Sequence, residues 1–382
     1  MRCSPILAAL LSLGLTLACG GGGGNTSWGP APTGNFTLRL GSDSFPGYDQ
    51  AVVSLEKVEG SLDGSTWLAL GNVQATYDLM ALQNGHSAVI LSAAKVTPGT
   101  YKQFRITWAT QTYPLTAMSP GYVYPSGSAL SKPLSLPTTT VVSGPVTVAA
   151  NGNVTAQIML SGQQAVQSRA GGTYTFQATG SVYDLSASAV ITGHLAYGTT
   201  PLAGAEVFAE TLDGTGLATL QRRAFSDTSG YYVLEGLSTG SLYFVASLPT
   251  GTFSAYPAAA ALPVNALLAA SYTANLTFSA PQSPGSLTLT LTPPSSSSQG
   301  TWGELRQSLS TGGTGSAMLI VQSQTVATGL SQDQAGFLGL APGLYGVTAQ
   351  RSTSGATPVM KTGTTVPVSA GSTTAPPPLT YP

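Results

Sequence analysis

Charge is what this chain has least of: Lys and Arg number 13 and Asp and Glu 14 in 382 residues, for a net charge of −1. An average soluble protein is roughly a quarter charged. Attraction to nucleic acid or to acidic surfaces by bulk electrostatics is therefore not expected. Cysteine is nearly absent as well. The two present, Cys3 and Cys19, both fall in the first twenty residues, so the rest of the chain can build neither a disulfide nor a cysteine-based metal site. Only two histidines exist, His86 and His194. Long amphipathic helical periods are missing too: SAVILSAAK (Ser87 to Lys95), VNALLAA (Val264 to Ala270) and WGELRQSL (Trp302 to Leu309) are short, poorly capped, and read as single turns or loops.

What remains is β-structure. Hydrophobic residues make up 42% of the chain and include 16 tyrosines, too many for a disordered Gly/Pro/Ser-rich polymer. Stretches such as FTLRL (Phe36 to Leu40), YKQFRITW (Tyr101 to Trp108), TYTFQATGSVYDL (Thr173 to Leu185) and SLTLTLTP (Ser286 to Pro293) alternate or are dense in β-branched and aromatic residues. In the last, Leu287, Leu289 and Leu291 share one face and threonines take the other, the pattern of a half-buried strand. The length allows two or three domains. The expected fold is all-β: tandem β-sandwich modules, immunoglobulin-like or transthyretin-like, after a signal peptide and a flexible linker.

One phrase recurs, as VTPGTYKQFRIT (Val96 to Thr107), LEGLSTGSLYFVAS (Leu234 to Ser247) and FLGLAPGLYGVTAQ (Phe337 to Gln350). Each has a strand end, a Pro-Gly or Thr-Gly turn, and a tyrosine soon after the glycine, which predicts a hairpin in each of three modules. The expected segments are a leader over 1–18, a tether over 19–35, and modules over 36–187, 188–280 and 281–382. The Pro-rich end, APPPLTYP (Ala375 to Pro382), is expected to be extended.

At the N-terminus, Met1-Arg2 and the uncharged apolar run Ile6 to Ala18 have the form of a secretory signal, too short to span a bilayer permanently. Leu15-Thr16-Leu17-Ala18 before Cys19 resembles the lipobox of bacterial lipoproteins, with Thr16 where leucine is commonest. The resemblance implies cleavage before Cys19 and lipidation of its thiol. The other reading is an ordinary signal cut near Ala18. Gly20 to Asn35 has no apolar period and reads as a tether with a reach of about 20–25 Å.

Two further resemblances cover the body. YDQAVVSLEKVEGSLDGSTWLAL (Tyr48 to Leu70), YDLMALQNG (Tyr77 to Gly85), TPGTYKQFRI (Thr97 to Ile106) and YPSGSALSKPLSL (Tyr124 to Leu136) are similar to the bacterial domain of unknown function 4382. Where that family often carries an acidic Asp-Phe-Asp run, this chain has QIMLSG (Gln157 to Gly162). The family is associated with exported and lipoprotein contexts and implies no activity. VITGHLAYGTTPLAGAEVFAE (Val190 to Glu210) and AFSDTSGYYVLEGLSTGSLYFVAS (Ala224 to Ser247) resemble the carboxypeptidase regulatory-like domain, a transthyretin-like sandwich grouped with carbohydrate-binding-like folds. The third module reads as a diverged sandwich of the same kind.

Chemistry-bearing constellations are few. His86 and His194 fall in different modules and read as exposed turn or strand-edge residues. GLSTG (Gly236 to Gly240) matches the nucleophile-elbow pattern but is followed by strand, not helix. Asp43, Asp49, Asp63, Asp78, Asp213 and Asp227 are scattered singly and read as turn caps, without calcium-loop spacing. The sequons at Asn25, Asn35, Asn153 and Asn275 are expected by chance in a Thr-rich chain. Trp67, Trp108, Tyr113, Tyr122 and Tyr124 either fill cores or line a sugar-stacking platform, with Trp67, Trp108, Tyr122 and Tyr124 the candidate ligand-stacking residues. No catalytic residue, cofactor or metal is expected. The expected protein is a non-enzymatic, lipid-anchored envelope protein, probed through the membrane by Cys19 and through a glycan or envelope protein as partner. A carbohydrate-binding surface lipoprotein is the alternative and an envelope hydrolase the third reading.

Overall fold

The computed structural model describes residues 32–380, apart from 44, 46, 116–118, 163–164, 170–171, 252, 293–300, 313–314, 327–332 and 352–358. Cys19, the leader and the tether as far as residue 31 lie outside the described residues. The last two tether positions are not tether: Gly34 and Asn35 open the first strand, Gly34–Ser42. Among the described residues, helix is confined to two short 3-10 turns, Leu79–Leu82 and Leu185–Ala187. None is long and apolar enough to cross a membrane. Residues Thr33–Pro382 form one compact unit.

The first part of that unit is a twelve-stranded sheet wrapped around a single core. Its hub is the fourteen-residue strand Tyr48–Ser61. Along one edge this strand pairs with Leu68–Asp78; along the other its two halves pair with Gly121–Pro125 and Gly99–Trp108. Gly34–Ser42 runs parallel to Asn153–Ser161 and antiparallel to Ala88–Val96. Phe36, Leu38, Leu40, Phe104, Ile106 and Ile158 are buried, as the alternation in FTLRL and FRI requires.

The second part has two sheets around a separate core that includes Ile191, Val207, Tyr232 and Val245. The third has two more, enclosing Leu287, Leu289, Leu291, Phe337 and Tyr345. Their connectivity is the same. Ser188–Tyr197 pairs antiparallel with Tyr231–Ser238 and parallel with Ser271–Thr273 and Leu276–Thr277. Gly285–Thr292 pairs antiparallel with Asp333–Leu340 and parallel with Thr373–Thr374 and Leu379–Thr380. In the facing sheets, Glu206–Leu212 and Thr301–Ser310 each sit between the strand that follows and the strand after the corner.

The recurring phrase proves to be no hairpin. Ala88–Val96 and Gly99–Trp108 have four strands between them in the sheet order, and in the other two modules the strands before and after the turn belong to different sheets. The turn carries the chain across the core. Its tyrosine then fastens the crossing. The hydroxyl of Tyr101 donates to Thr97 O at 2.9 Å, Tyr243 to Ser238 O at 3.0 Å and Tyr345 to Ala341 O at 2.7 Å. All three rings are buried. These are tyrosine corners, the device by which Greek-key sandwiches tie a sheet-to-sheet connection to the next strand.

The three stretches read as turns or loops are also corrected. Ala88–Val96 and Thr301–Ser310 are strands, and Val264–Asn265 is a short one. Pairing to both neighbours overrides the weak propensity of the segment around Trp302.

Candidate functional site

The buried ionisable groups gather at two seams, where the sheets of successive modules meet. At the first, Asp43 follows the opening strand, and its carboxylate accepts the backbone N–H of Gly162. Across the seam, the Arg223 guanidinium donates to Glu206 Oε1 at 3.0 Å and stands 3.9 Å from Asp43 Oδ2. One guanidinium thus faces two carboxyls. Burial outweighs it: Glu206 is pushed up to about 7 and Asp43 is raised, in each case by desolvation against the pull of Arg223.

Strand alternation sends the adjacent Arg222 the other way. It donates to Glu235 O at 3.0 Å, Gly236 O at 3.1 Å and Ser181 Oγ at 3.0 Å, and it lies 5.5 Å from the Tyr183 ring centroid. Gly236 must be glycine here. Its φ is +68°, and a Cβ would sit 2.3 Å from the Tyr183 ring. Gln157 donates to the Glu235 carboxylate at 3.1 Å, and burial raises the pKa of that group. The pocket left among Asp43, Asn84, Arg222, Arg223 and Glu235 holds about 10 Å³, too little for an organic ligand.

The first seam also contains the Leu82-Gln83-Asn84-Gly85 segment. Asp78 caps the 3-10 turn, accepting from Met80 N at 3.0 Å and Ala51 N at 3.2 Å. Asn84 and Gly85 then take left-handed conformations, with φ of 55° and 83°. This aims the Asn84 amide at the strand Tyr231–Ser238. Its Nδ2 donates to Tyr231 O at 3.3 Å and its Oδ1 accepts from Val233 N at 2.6 Å.

The second seam is mainly apolar. Phe208, Ala218, Phe244 and Ala246 pack against Ala317, Leu319 and Ile320 of the third module. Glu210 Oε2 accepts the Ile320 backbone N–H at 2.8 Å, and burial raises the Glu210 pKa well above its usual value. Arg306 bridges by donating to Ala218 O at 2.7 Å, and it is paired with Glu304 at 2.7 Å. Thr348 completes the cluster, accepting from Arg306 Nε and donating to Glu304.

The aromatic residues singled out in the sequence do not form one platform. Trp108 is removed from the ligand-stacking set: it is 3% exposed, its indole N–H donates to Thr140 Oγ1 at 2.8 Å, and its ring meets Phe176 edge-on at 5.1 Å. Trp67 is half-buried beneath the Arg105 guanidinium at 4.4 Å, which is itself paired with Glu59. Tyr122 and Tyr124 share one face of their strand, with ring centroids 6.0 Å apart, and both are half-buried. Along the hub strand, Tyr122 lies opposite Val52, whereas Arg105 lies opposite Glu59, roughly 23 Å away at strand rise. The Tyr113 hydroxyl bonds Glu56.

His86 and His194 are both exposed, and the His194 ring lies 5.1 Å from that of Tyr231. Among the described residues no group of three or more metal-ligating side chains converges. The turn caps are mostly as read. Asp63, Asp213 and Asp227 each accept backbone N–H groups within four residues, which holds their pKa values down. Asp43 is the exception. Ser238 of GLSTG lies between two strands of different sheets, not before a helix. An open groove of about 580 Å³ runs past Thr250, Ser286, Leu338 and Thr373, and no titratable side chain lines it.

The architecture is that of a multi-sheet all-β protein with a tyrosine corner in each part. Within it, residues 33–179 match the family described as "Domain of unknown function (DUF4382)". No curated protein matches the chain. Among solved structures, the Bacillus anthracis TIE protein is 11% identical, with a TM-score of 0.21, over 92% of this chain and 50% of its own. This chain therefore spans about half the length of that protein. The shaft pilin SpaA from Lactobacillus rhamnosus GG is 12% identical over 51% of this chain and 99% of its own, with a TM-score of 0.19. A DUF3823 family protein from Parabacteroides merdae is 10% identical over 48% and 100%, with a TM-score of 0.20. At these scores none of the three bears on function.

Proposed function

We propose that this chain is a non-enzymatic, lipid-anchored protein of the bacterial cell envelope, held at the outer membrane through Cys19, in which a DUF4382-type module and two transthyretin-like modules form a jointed display arm. The second module is read as carboxypeptidase regulatory-like and the third as its diverged repeat. The observation that carries this reading is where the buried polar groups are used. Arg222, Arg306, Glu210 and Asn84 all bond backbone across or beside a seam, tying one module to the next. Arg223 links Glu206 to Asp43 across the first seam. A catalytic site needs such groups to converge on a space that admits a substrate, whereas these close on a pocket of about 10 Å³.

The anchor is tested by Cys19→Ser. Metabolic labelling with a radioactive fatty acid should be lost and the protein should move from the membrane to the soluble fraction. Unchanged labelling and fractionation overturn the anchor. A glycan-binding role keeps one supporting observation, the half-buried Tyr122 and Tyr124 pair. Saturable glycan retention abolished by Tyr124→Ala would favour it over a pure display role.

A further inference from the structure

In an antiparallel ladder, residues point their N–H and C=O groups alternately toward and away from the neighbouring strand. Tyr231–Ser238 pairs with Ser188–Tyr197 on one side only and is an edge of its sheet. Asn84 bonds the C=O of Tyr231 and the N–H of Val233, two groups that flank Tyr232 and face outward from that edge. Those are the two bonds that one residue of an added parallel strand would make. The side-chain amide has the same donor and acceptor as a peptide unit, so it takes the place of such a residue.

We infer that the Gln83-Asn84-Gly85 turn is a docking device for the open edge of a β-sheet, that it recognises backbone and not side chain, and that its occupant is the strand Tyr231–Ser238 of the module that follows. The left-handed pair Asn84-Gly85 lets the amide project from a tight turn. Gly85 allows close approach, since a Cβ there would meet Val233 Cγ1 at 3.1 Å. Beside it, Arg222 occupies the carbonyls of Glu235 and Gly236, so the docking register ends where the arginine begins. The turn lies within the segment that matches the DUF4382 family, and the inference is independent of lipid anchoring.

The test uses the whole chain with a protease site introduced into Leu185–Ala187, cleaved after folding, and measures dissociation of the two halves by dilution and size exclusion. Asn84→Gly is the informative variant, because glycine keeps the left-handed turn and removes only the amide. It should raise the dissociation constant at least tenfold. Asn84→Asp, which keeps the acceptor and turns a negative oxygen on Tyr231 O, should do the same. Val233→Thr, which keeps the backbone N–H, should stay within twofold of the parent. Thermal melting of the uncut variants checks that each half is folded. Asn84→Gly halves that dissociate like the parent, a parent that falls apart at micromolar concentration once cut, or a Val233→Thr effect as large as that of Asn84→Gly would each overturn the inference.

Discussion

The two seams join the same kinds of sheet by opposite means. The first is polar: Asn84, Gln157, Asp43, Arg222 and Arg223 meet backbone and carboxylates across it. The second is an apolar core shared by two modules, with Glu210 and the Arg306–Glu304 pair set into it. Burial of apolar area gives a non-directional contact that is lost all at once, whereas hydrogen bonds contribute little net energy but demand one geometry. The second seam should therefore act as a weld and the first as a register pin that yields separately.

The largest effect should come from breaking the weld. Arg306→Ala leaves Glu304 buried without its counter-charge and Ala218 O without a donor, and should cost about 3–5 kcal/mol in chemical denaturation. Replacing the pair together, as Arg306→Met with Glu304→Leu, should recover most of that loss. A double variant as unstable as Arg306→Ala would mean that the pair, and not the apolar packing, makes the second seam.

The first seam should answer to pH. Burial raises the Glu206 carboxyl from an ordinary 4.5 to about 7 and raises Asp43 as well, so the folded chain holds protons that the unfolded chain has already released. Stability should be greatest at the acid end of this window and fall as pH rises from about 4.5 to about 7, by at most about 1.4 kcal/mol per pH unit per group, and then level off. Urea midpoints measured at pH 5, 6, 7 and 8 check this. Glu206→Gln should flatten the fall, and a parallel fall in that variant would place the pH dependence elsewhere.

The smallest effects can decide how far the modules melt together. Tyr101→Phe, Tyr243→Phe and Tyr345→Phe each remove one corner hydrogen bond from a ring that stays buried, at about 1 kcal/mol apiece. If the second seam is the weld, calorimetry should show the latter two lowering the same transition and Tyr101→Phe lowering a different one. Three equal shifts of a single transition would make the seams equivalent.

Much of this was legible before any coordinates. The leucine faces of SLTLTLT and FTLRL are the buried faces, and Asp227 and Gly230 shape the turn their identities suggest. The recurring turn was visible, but its role was misread for a physical reason. Pro-Gly chemistry fixes a local reversal, and only the partner of the next strand, a long-range fact, distinguishes a hairpin from a crossing. The tyrosine was the available signal, since a hydroxyl buried beside a turn needs an acceptor.

The seams were largely illegible. Asp43 looks like any loop acid, and nothing near it in sequence announces Arg223. Arg222-Arg223 was the overlooked clue. Two adjacent guanidiniums within one strand must face opposite sides, so in a chain this poor in charge at least one had to be committed inward. Trp108 illustrates the reverse case, a residue whose chemistry suits a surface and whose place in FRITW faces the core.

One consequence follows from the Asn84 amide and the Glu210 carboxylate taken together. Like-charge repulsion keeps most proteins apart in crowded surroundings, and this chain has little to offer. Unpaired strand edges recruit neighbouring molecules into extended sheets. Asn84 occupies backbone groups of Tyr231 and Val233, and Glu210 occupies that of Ile320, each on an edge strand. The residues that join the modules thus also guard the chain against aggregating with its own copies.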